Sequence, residues 1–353
     1  MKLSLSVLVL CLLASLSLAT AQEASPASTP TPNTKRSSLG DEALEKREFL
    51  GQVMGTSLQI TVLGKDPQVL EEALLEAVKE LRRVEDVFTT WRPSELTRLN
   101  DAAGQGPQVV SREQAKLIAR ALKIGELSRG AFDVTFYSVG KLWDFKATPP
   151  KLPNKAEIAA ALEKVGWSKV KVDLAASSVE LPAGTKIGLG GIAKGYGVDR
   201  AMRVIMKRGI RHALVNAGGD LKALGRDRGQ PWEVAVRNPR QREQILAVLP
   251  VSNVCVVTSG DYERFFEHEG KRYHHILDPR TGYPSQGCIS ATVTAPDAAF
   301  ADALATALCV LGPKQGLELV ESLPRVEAIL VDLEGKVHVS KGLPRHAWNG
   351  KER

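Results

Sequence analysis

Asp302 and Thr306 stand four residues apart in the stretch 297–311, where Phe300, Ala301, Ala303, Leu304, Ala305, Ala307, Leu308, Val310 and Leu311 are all apolar. A helix that is apolar nearly all round is buried, and a carboxylate inside it needs a partner. The i, i+4 spacing sets the two oxygen-bearing side chains on one face, about 5–6 Å apart at Cβ. Hard oxygen donors aimed at one point suit Mg²⁺ better than zinc or copper. The same pattern also fits Asp302 paired with an arginine and the Thr306 hydroxyl bonded back to a helix carbonyl.

A second group is the glycine-rich run Ile187-Gly188-Leu189-Gly190-Gly191-Ile192-Ala193-Lys194-Gly195-Tyr196-Gly197, followed by a helical pattern over 198–207. Such a loop exposes backbone amides beside a helix N-terminus, which suits a phosphate or diphosphate. Two familiar templates fail on it. Gly188-x-Gly190-x-x-Ala193 has the dinucleotide spacing, but roughly twenty residues on the chain offers Lys207-Arg208-Gly209 where an acidic ribose ligand belongs. A P-loop would need Gly before Lys194 and Ser or Thr after it, whereas Ala193 and Gly195 stand there. A plain tight turn before a helix fits equally well. The third group, 274–282 (His274-His275-Ile276-Leu277-Asp278-Pro279-Arg280-Thr281-Gly282), gathers titratable and cationic groups at a strand end, as a general base or phosphate-facing cluster would, or as a polar turn would. Ser259 before Gly260 lacks the G-x-S-x-G frame of a nucleophile elbow.

The elements that must position these groups are readable in outline. Residues 53–63 alternate, with Leu58, Ile60 and Val62 on one face, and predict a half-buried strand. Asp66-Pro67 opens a helix whose stripe Leu70, Leu74, Ala77, Val78, Leu81, Val84, Phe88 docks on a sheet. A further helix spans about 111–127, stopped near Gly130, and 170–181 reads as a hairpin. Strands are expected at 213–216, 232–236, 248–258, 273–277 and 289–295. Many short strands joined by short turns favour an α+β fold of mainly antiparallel sheet over a doubly wound parallel one.

Composition narrows the class. The chain has 353 residues, 43% hydrophobic and 25% charged, with 5 Trp, 5 Tyr and 8 Phe. That excludes collagen, coiled coil and wholesale disorder, and the length supports two compact units or one large one without disulfide staples. The net charge of +7 is spread along the chain and shows no aromatic-interleaved basic block, so no nucleic-acid partner is expected. Residues 1–21 read as a signal peptide: Lys2, an uncharged stretch rich in Leu and Val, then Ala19-Thr20-Ala21. Cleavage there leaves no transmembrane segment. Cys11 lies inside the apolar stretch behind Leu10, a poor lipidation site. Cleavage removes Cys11, and Cys255, Cys288 and Cys309 then allow at most one disulfide. Residues 22–44 form a Pro/Ser/Thr-rich linker, which leaves 45–345 as the folded domain. The expected location is outside the cytoplasm, in the periplasm, with association at the inner membrane left open.

Several stretches, taken in order along the chain, resemble the ApbE family of FAD:protein FMN transferases. They are Met54-Gly55-Thr56; Thr90-Trp91-Arg92-Pro93-Ser94-Glu95; Gly130-Ala131-Phe132-Asp133-Val134-Thr135; the glycine-rich loop with Lys194-Gly195-Tyr196; Asn216-Ala217-Gly218-Gly219-Asp220; Thr258-Ser259-Gly260-Asp261-Tyr262; His275-Ile276-Leu277-Asp278-Pro279-Arg280-Thr281-Gly282; and Ala301-Asp302-Ala303-Leu304-Ala305-Thr306-Ala307. The resemblance implies a single T-fold-related catalytic unit. It also implies transfer of FMN from FAD to a threonine hydroxyl of an acceptor protein, a respiratory or reductase subunit with a short Thr-containing motif, with release of AMP. Met54, Trp91, Ala131, Phe132, Asp133, Lys194 and Ile276 fall where the family contacts FAD. Asp302 and Thr306 fall on its Mg²⁺ side-chain ligands, and Gly191 on a position that donates a backbone carbonyl.

Gly188 departs from the pattern, because the family usually carries Asp there. The missing charged acceptor implies FAD binding weakened roughly ten- to hundredfold, to be recovered by Gly188→Asp. In the implied reaction Mg²⁺ and Lys194 neutralise charge on the diphosphate, and His275, with an intrinsic pKa near neutrality, serves as the base. Two other functions use the same residues: a Mg²⁺-dependent FAD pyrophosphatase yielding FMN and AMP, and a flavin-binding protein without turnover.

Overall fold

The computed structural model describes residues 44–343 apart from Arg242. The expected signal peptide, almost all of the linker, Cys11 and the last residues of the 45–345 domain lie outside the described residues. The chain begins with a hairpin of β1 (Glu45–Val53) and β2 (Thr56–Gly64), joined by a two-residue turn at Met54-Gly55. Both turn residues have positive φ, 52° and 70°, the geometry that matches strand twist in so tight a turn. The strand expected over 53–63 is therefore the second arm of a hairpin, with Val53 closing the first. Leu58, Ile60 and Val62 are buried.

Helix α1 (Pro67–Phe88) starts as its sequence dictates: the Asp66 carboxylate accepts from the amides of Gln68 and Val69, and Pro67 occupies the first turn, where no amide partner is needed. After it come α2 (Glu95–Asp101), β3 (Gln108–Val109), α3 (Arg112–Leu127) and the short helices α4 (Tyr137–Gly140) and α5 (Lys155–Leu162). The expected hairpin is β4 (Lys171–Asp173) with β5 (Ser178–Glu180), and β3 joins it as a third strand. Helix α6 (Ala193–Lys207) begins at Ala193, ahead of the expected start at 198.

Strands β6 (His212–Ala217), β7 (Asp220–Leu224), β8 (Trp232–Arg237), β9 (Ile245–Val251) and β10 (Cys255–Gly260) follow. The single strand expected over 248–258 is two, because Asn253 turns the chain with φ 58°. After β11 (Phe265–His268), β12 (Lys271–His274) ends sooner than expected, and beyond it Leu277 makes only an isolated bridge to Pro284. The chain closes with β13 (Ser290–Ala295), α7 (Ala298–Glu321), β14 (Glu327–Val331) and β15 (Val337–Val339). Helix α7 breaks at Gly312 (φ 75°), just before Pro313, so its first segment ends where the sequence pattern stops.

The architecture is α+β. Eight strands form one sheet in the order β1-β2-β6-β7-β10-β13-β14-β15, with every pairing antiparallel. Helices α1, α6 and α7 share the main core with one face of that sheet. The β8–β9 ribbon covers the other face, with Trp232 and Leu249 packed near Leu221 and Val256. Cys255, Cys288 and Cys309 are buried and all free. Among the described residues no helix is long and apolar enough to cross a membrane.

The N-termini of α6 and α7 meet head to head. The residue before α6, Ile192, has no side chain able to cap it, and the Asp302 carboxylate of α7 accepts the Gly195 amide instead, at 3.1 Å. In return Asp199 of α6 accepts the Ala299 amide of α7 at 3.0 Å. A Cβ on Gly195 would stand 2.2 Å from the Ala298 carbonyl oxygen, so only glycine allows this approach. Gly195→Ala is expected to destabilise the fold by about 1–3 kcal/mol through backbone displacement, seen as a lower melting temperature. An unchanged melting temperature would show that the two helix ends separate freely.

Candidate active site

The helix ends open into a cavity of about 560 Å³. Its walls come from the β1–β2 turn, the end of α1 and the loop after it, residues 131–145, the glycine-rich loop, the end of β10, residues 275–279 and α7. Every residue given a catalytic, FAD or metal role in the sequence lines it: Met54, Trp91, Ala131, Phe132, Asp133, Gly188, Gly191, Lys194, His275, Ile276, Asp302 and Thr306; of the 274–282 cluster, His274, Asp278 and Arg280 do not. Trp91 is 65% exposed, and the Arg264 guanidinium lies 5.9 Å from its ring centre. Met54 is held by its left-handed turn, and its amide donates to Glu85 Oε2 at 3.0 Å.

At the floor lies a buried charge cluster. Lys194 Nζ is 2.8 Å from Asp220 Oδ1 and 3.5 Å from Asp302 Oδ1. The partner of Asp302 is thus a lysine, not the arginine considered from the sequence. Burial alone would favour neutral Lys194, but the Asp220 and Asp302 carboxylates outweigh it and raise its pKa above the usual lysine range. Burial and the neighbouring Asp302 push Asp220 well above the usual carboxylate range, against the pull of Lys194. Asp220 is fully buried, and its Oδ2 has no hydrogen-bond partner.

The Thr306 hydroxyl lies 3.5 Å from that of Ser259, so it does not simply bond back along its own helix. A Cβ on Gly191 would come within 3.4 Å of Thr306 Oγ1, which places the Gly191 backbone against the same point. Asp302, Thr306 and Gly191 therefore converge, and they offer only oxygen. Among the described residues no three His, Cys, Asp or Glu side chains cluster as metal ligands, and this group draws instead on a hydroxyl and the backbone. Its chemistry fits a hard cation such as Mg²⁺.

Two expected residues look different in place. The Asp133 carboxylate accepts from the Thr135 amide (2.8 Å), the Thr135 hydroxyl (2.6 Å) and the Trp167 amide (2.9 Å), so its acceptor capacity is largely used in fixing the 133–135 turn. Burial raises its pKa, and those donors oppose the rise. His275 presents a buried Nδ1 with no partner. Burial, then Arg264, His274 and Lys194, lower its pKa to about 3, so it is neutral at pH 7 and a weak base in the free protein.

Sequence reasoning passed over Asp220, Ser259, Arg264 and Tyr137 as functional groups, though all but Asp220 line the cavity and Asp220 anchors its lysine. A usable signal was the charge of Asp220 opening the strand that continues Leu221-Lys222-Ala223-Leu224. Tyr137 bears directly on Gly188. A Cβ at position 188 would lie 3.0 Å from Tyr137 Cβ and 3.1 Å from its Cγ. An aspartate there requires Tyr137 to give by a few tenths of an ångström, a cost set against the gain expected from a new carboxylate.

The ApbE family model matches residues 54–330. The chain belongs to the ApbE family. A relative from Treponema pallidum, a FAD:protein FMN transferase, is 35% identical over 310 residues, covering 82% of this chain and 86% of its own. The Haemophilus influenzae protein of the same name is 34% identical over 285 residues, covering 77% and 82%. Among solved structures, the Thermotoga maritima ApbE protein superposes with a TM-score of 0.78 at 34% identity, over 84% of this chain and 97% of that one. The Vibrio cholerae flavin transferase ApbE gives 0.75 at 30% identity, over 84% and 98%. The antiparallel α+β fold is thus that of the family.

Two expectations follow from the geometry. Between pH 6.5, the ordinary histidine value, and about 3, the unfolded chain binds a proton that folded His275 does not. Stability therefore falls as pH drops through that window and is unaffected by this group above it. His275→Gln should flatten the decline in melting temperature between pH 7 and 5 without abolishing it, since burial also lowers the His274 pKa. Identical slopes for the two proteins would place the His275 ring in water. The second concerns Gly188→Asp, which is expected to bind FAD no more tightly than the native chain. Calorimetric titration decides this, and a tenfold gain in affinity would mean that Tyr137 gives way without loss.

Proposed function

We propose that this flavin transferase moves FMN from FAD to a threonine hydroxyl of an acceptor protein, releases AMP and depends on Mg²⁺. The observation that carries the reading is the convergence in one cavity of a charged lysine, a helix N-terminus, a neutral histidine and an all-oxygen donor group. Relatives that bear the activity in their names support it.

In this reaction the threonine oxygen forms a bond to the FMN-side phosphorus, and the bond from that phosphorus to the bridging oxygen breaks, so AMP leaves as the phosphate monoester. Negative charge grows on the diphosphate oxygens. Lys194 stands ready to neutralise it, fixed by Asp220, and the N-terminal amides of α6 favour anionic groups at the same end. Gly190 leaves its side-chain space open, so phosphate can approach the backbone of the loop. Asp302, Thr306 and the Gly191 carbonyl would hold Mg²⁺, which when bound supplies further charge neutralisation at the phosphates.

His275 takes the threonine proton. Two of the groups that depress its pKa, Arg264 and Lys194, face the cavity. An anionic diphosphate beside them offsets their charge and raises the basicity of the ring. We further infer export to the periplasm, from the character of residues 1–21.

Incubation with FAD, Mg²⁺ and a protein bearing a Thr-containing flavinylation motif, such as a respiratory or reductase subunit, is expected to yield a covalently fluorescent acceptor and one AMP per flavin attached. EDTA should stop both. Quantitative release of free FMN would replace the transferase with a pyrophosphatase, and FAD binding without any AMP would leave only a flavin-binding protein.

A further inference from the structure

We propose that Asp220 is a positioning residue, one that retains the Lys194 ammonium so that the Asp302 carboxylate stays open to a divalent cation. This rests on the reading of Asp302 and Thr306 as a cation site. Lys194 is shared unequally between two buried carboxylates: 2.8 Å from Asp220 and 3.5 Å from Asp302. Asp302 already spends its other oxygen on the Gly195 amide, so Oδ1 is the oxygen it can turn toward a cation. Asp220 has no such structural duty. Its strand is held by backbone pairing to β6 on one side and β10 on the other, and its Oδ2 bonds to nothing.

A buried carboxylate with a bare oxygen is costly, and one member of a buried pair does not by its presence stabilise a fold. What Asp220 does provide is electrostatic. It holds the ammonium at 2.8 Å, away from the Asp302 oxygen at 3.5 Å. Without the Asp220 charge the nearest anion to Lys194 is Asp302, and the ammonium then competes for the oxygen the cation needs.

The test measures Mg²⁺ binding by calorimetry on the full chain without flavin, with Mn²⁺ as a second probe read by electron paramagnetic resonance. Asp220→Asn is expected to weaken binding by about tenfold, the scale of one charge-assisted hydrogen bond. In a Lys194→Met background the same substitution should change affinity less than about twofold, because the competitor is gone. That second comparison stands even if Asp220→Asn alone does not fold, since the double variant removes both members of the pair. An equal loss in both backgrounds would make Asp220 a direct ligand and overturn the proposal, as would unchanged binding in Asp220→Asn. Mg²⁺ binding by the native chain that survives Asp302→Asn is a third, separate result: it removes the cation site itself, and the proposal with it.

Discussion

The cavity depends on two helix N-termini capping each other. Asp302 of α7 serves α6, Asp199 of α6 serves α7, and Gly195 removes the one side chain that would hold the two apart. Amides in the first turn of a helix lack intrahelical partners, and a carboxylate there also meets the favourable end of the helix dipole. Helix α7 also has its own cap, Asp297, which accepts the Phe300 amide, but neither helix can shift along its axis without breaking both cross-bonds. Lys194 is the residue before Gly195, so the same contact that joins the helices sets the lysine beside Asp302. Thr306, one turn further along α7, is brought against Gly191 by the same docking.

The cluster built at this junction is not a stabilising device in the ordinary sense. The two carboxylates lie where solvent barely reaches, beside a partly exposed lysine, and burying such charges seldom favours folding over a well-packed apolar substitute. The apolar surroundings are what make the cluster effective. In low dielectric each charge acts strongly on its neighbours, and hydrogen bonds made by prepositioned groups need no rearrangement when an anion arrives. The stability that the cluster does not supply comes from α1, α6 and α7 packed on the sheet, whose apolar faces are buried without exception along the α1 stripe.

Much of this arrangement was legible in the sequence, because it follows from local pattern. The apolar periodicity around Asp302 exposed a buried carboxylate with a hydroxyl one turn away, and Asp66-Pro67 fixed the start of α1. The parts that were not legible are long-range. The start of α6 is hidden because Gly195 and Gly197 are poor helix formers, and their reason lies in Ala298, Leu81 and Met54, which no local window contains. The ion-pair partner of Asp302 is Lys194, a lysine on another helix and not an arginine, which no local window shows. Asp220 enters the sequence reading only as the end of the family-like stretch Asn216-Ala217-Gly218-Gly219-Asp220, because what the first residue of a strand faces is set by elements distant in the chain. Gly188 shows the converse: its difference from the family was visible at once, but only the packed structure shows Tyr137 against it.

The low basicity of His275 has a consequence for selectivity in the proposed reaction. A base that is strong in the empty site would activate water as readily as threonine. Here the ring is kept neutral and weakly basic by burial and by the positive charges of Arg264 and Lys194, both of which line the cavity. Filling the cavity with an anion both offsets those charges and displaces solvent, so basicity rises only when substrate occupies the space from which water would attack. The lysine that neutralises the phosphate is then also the group whose neutralisation strengthens the base, and Asp220, by fixing that lysine, stands behind both effects.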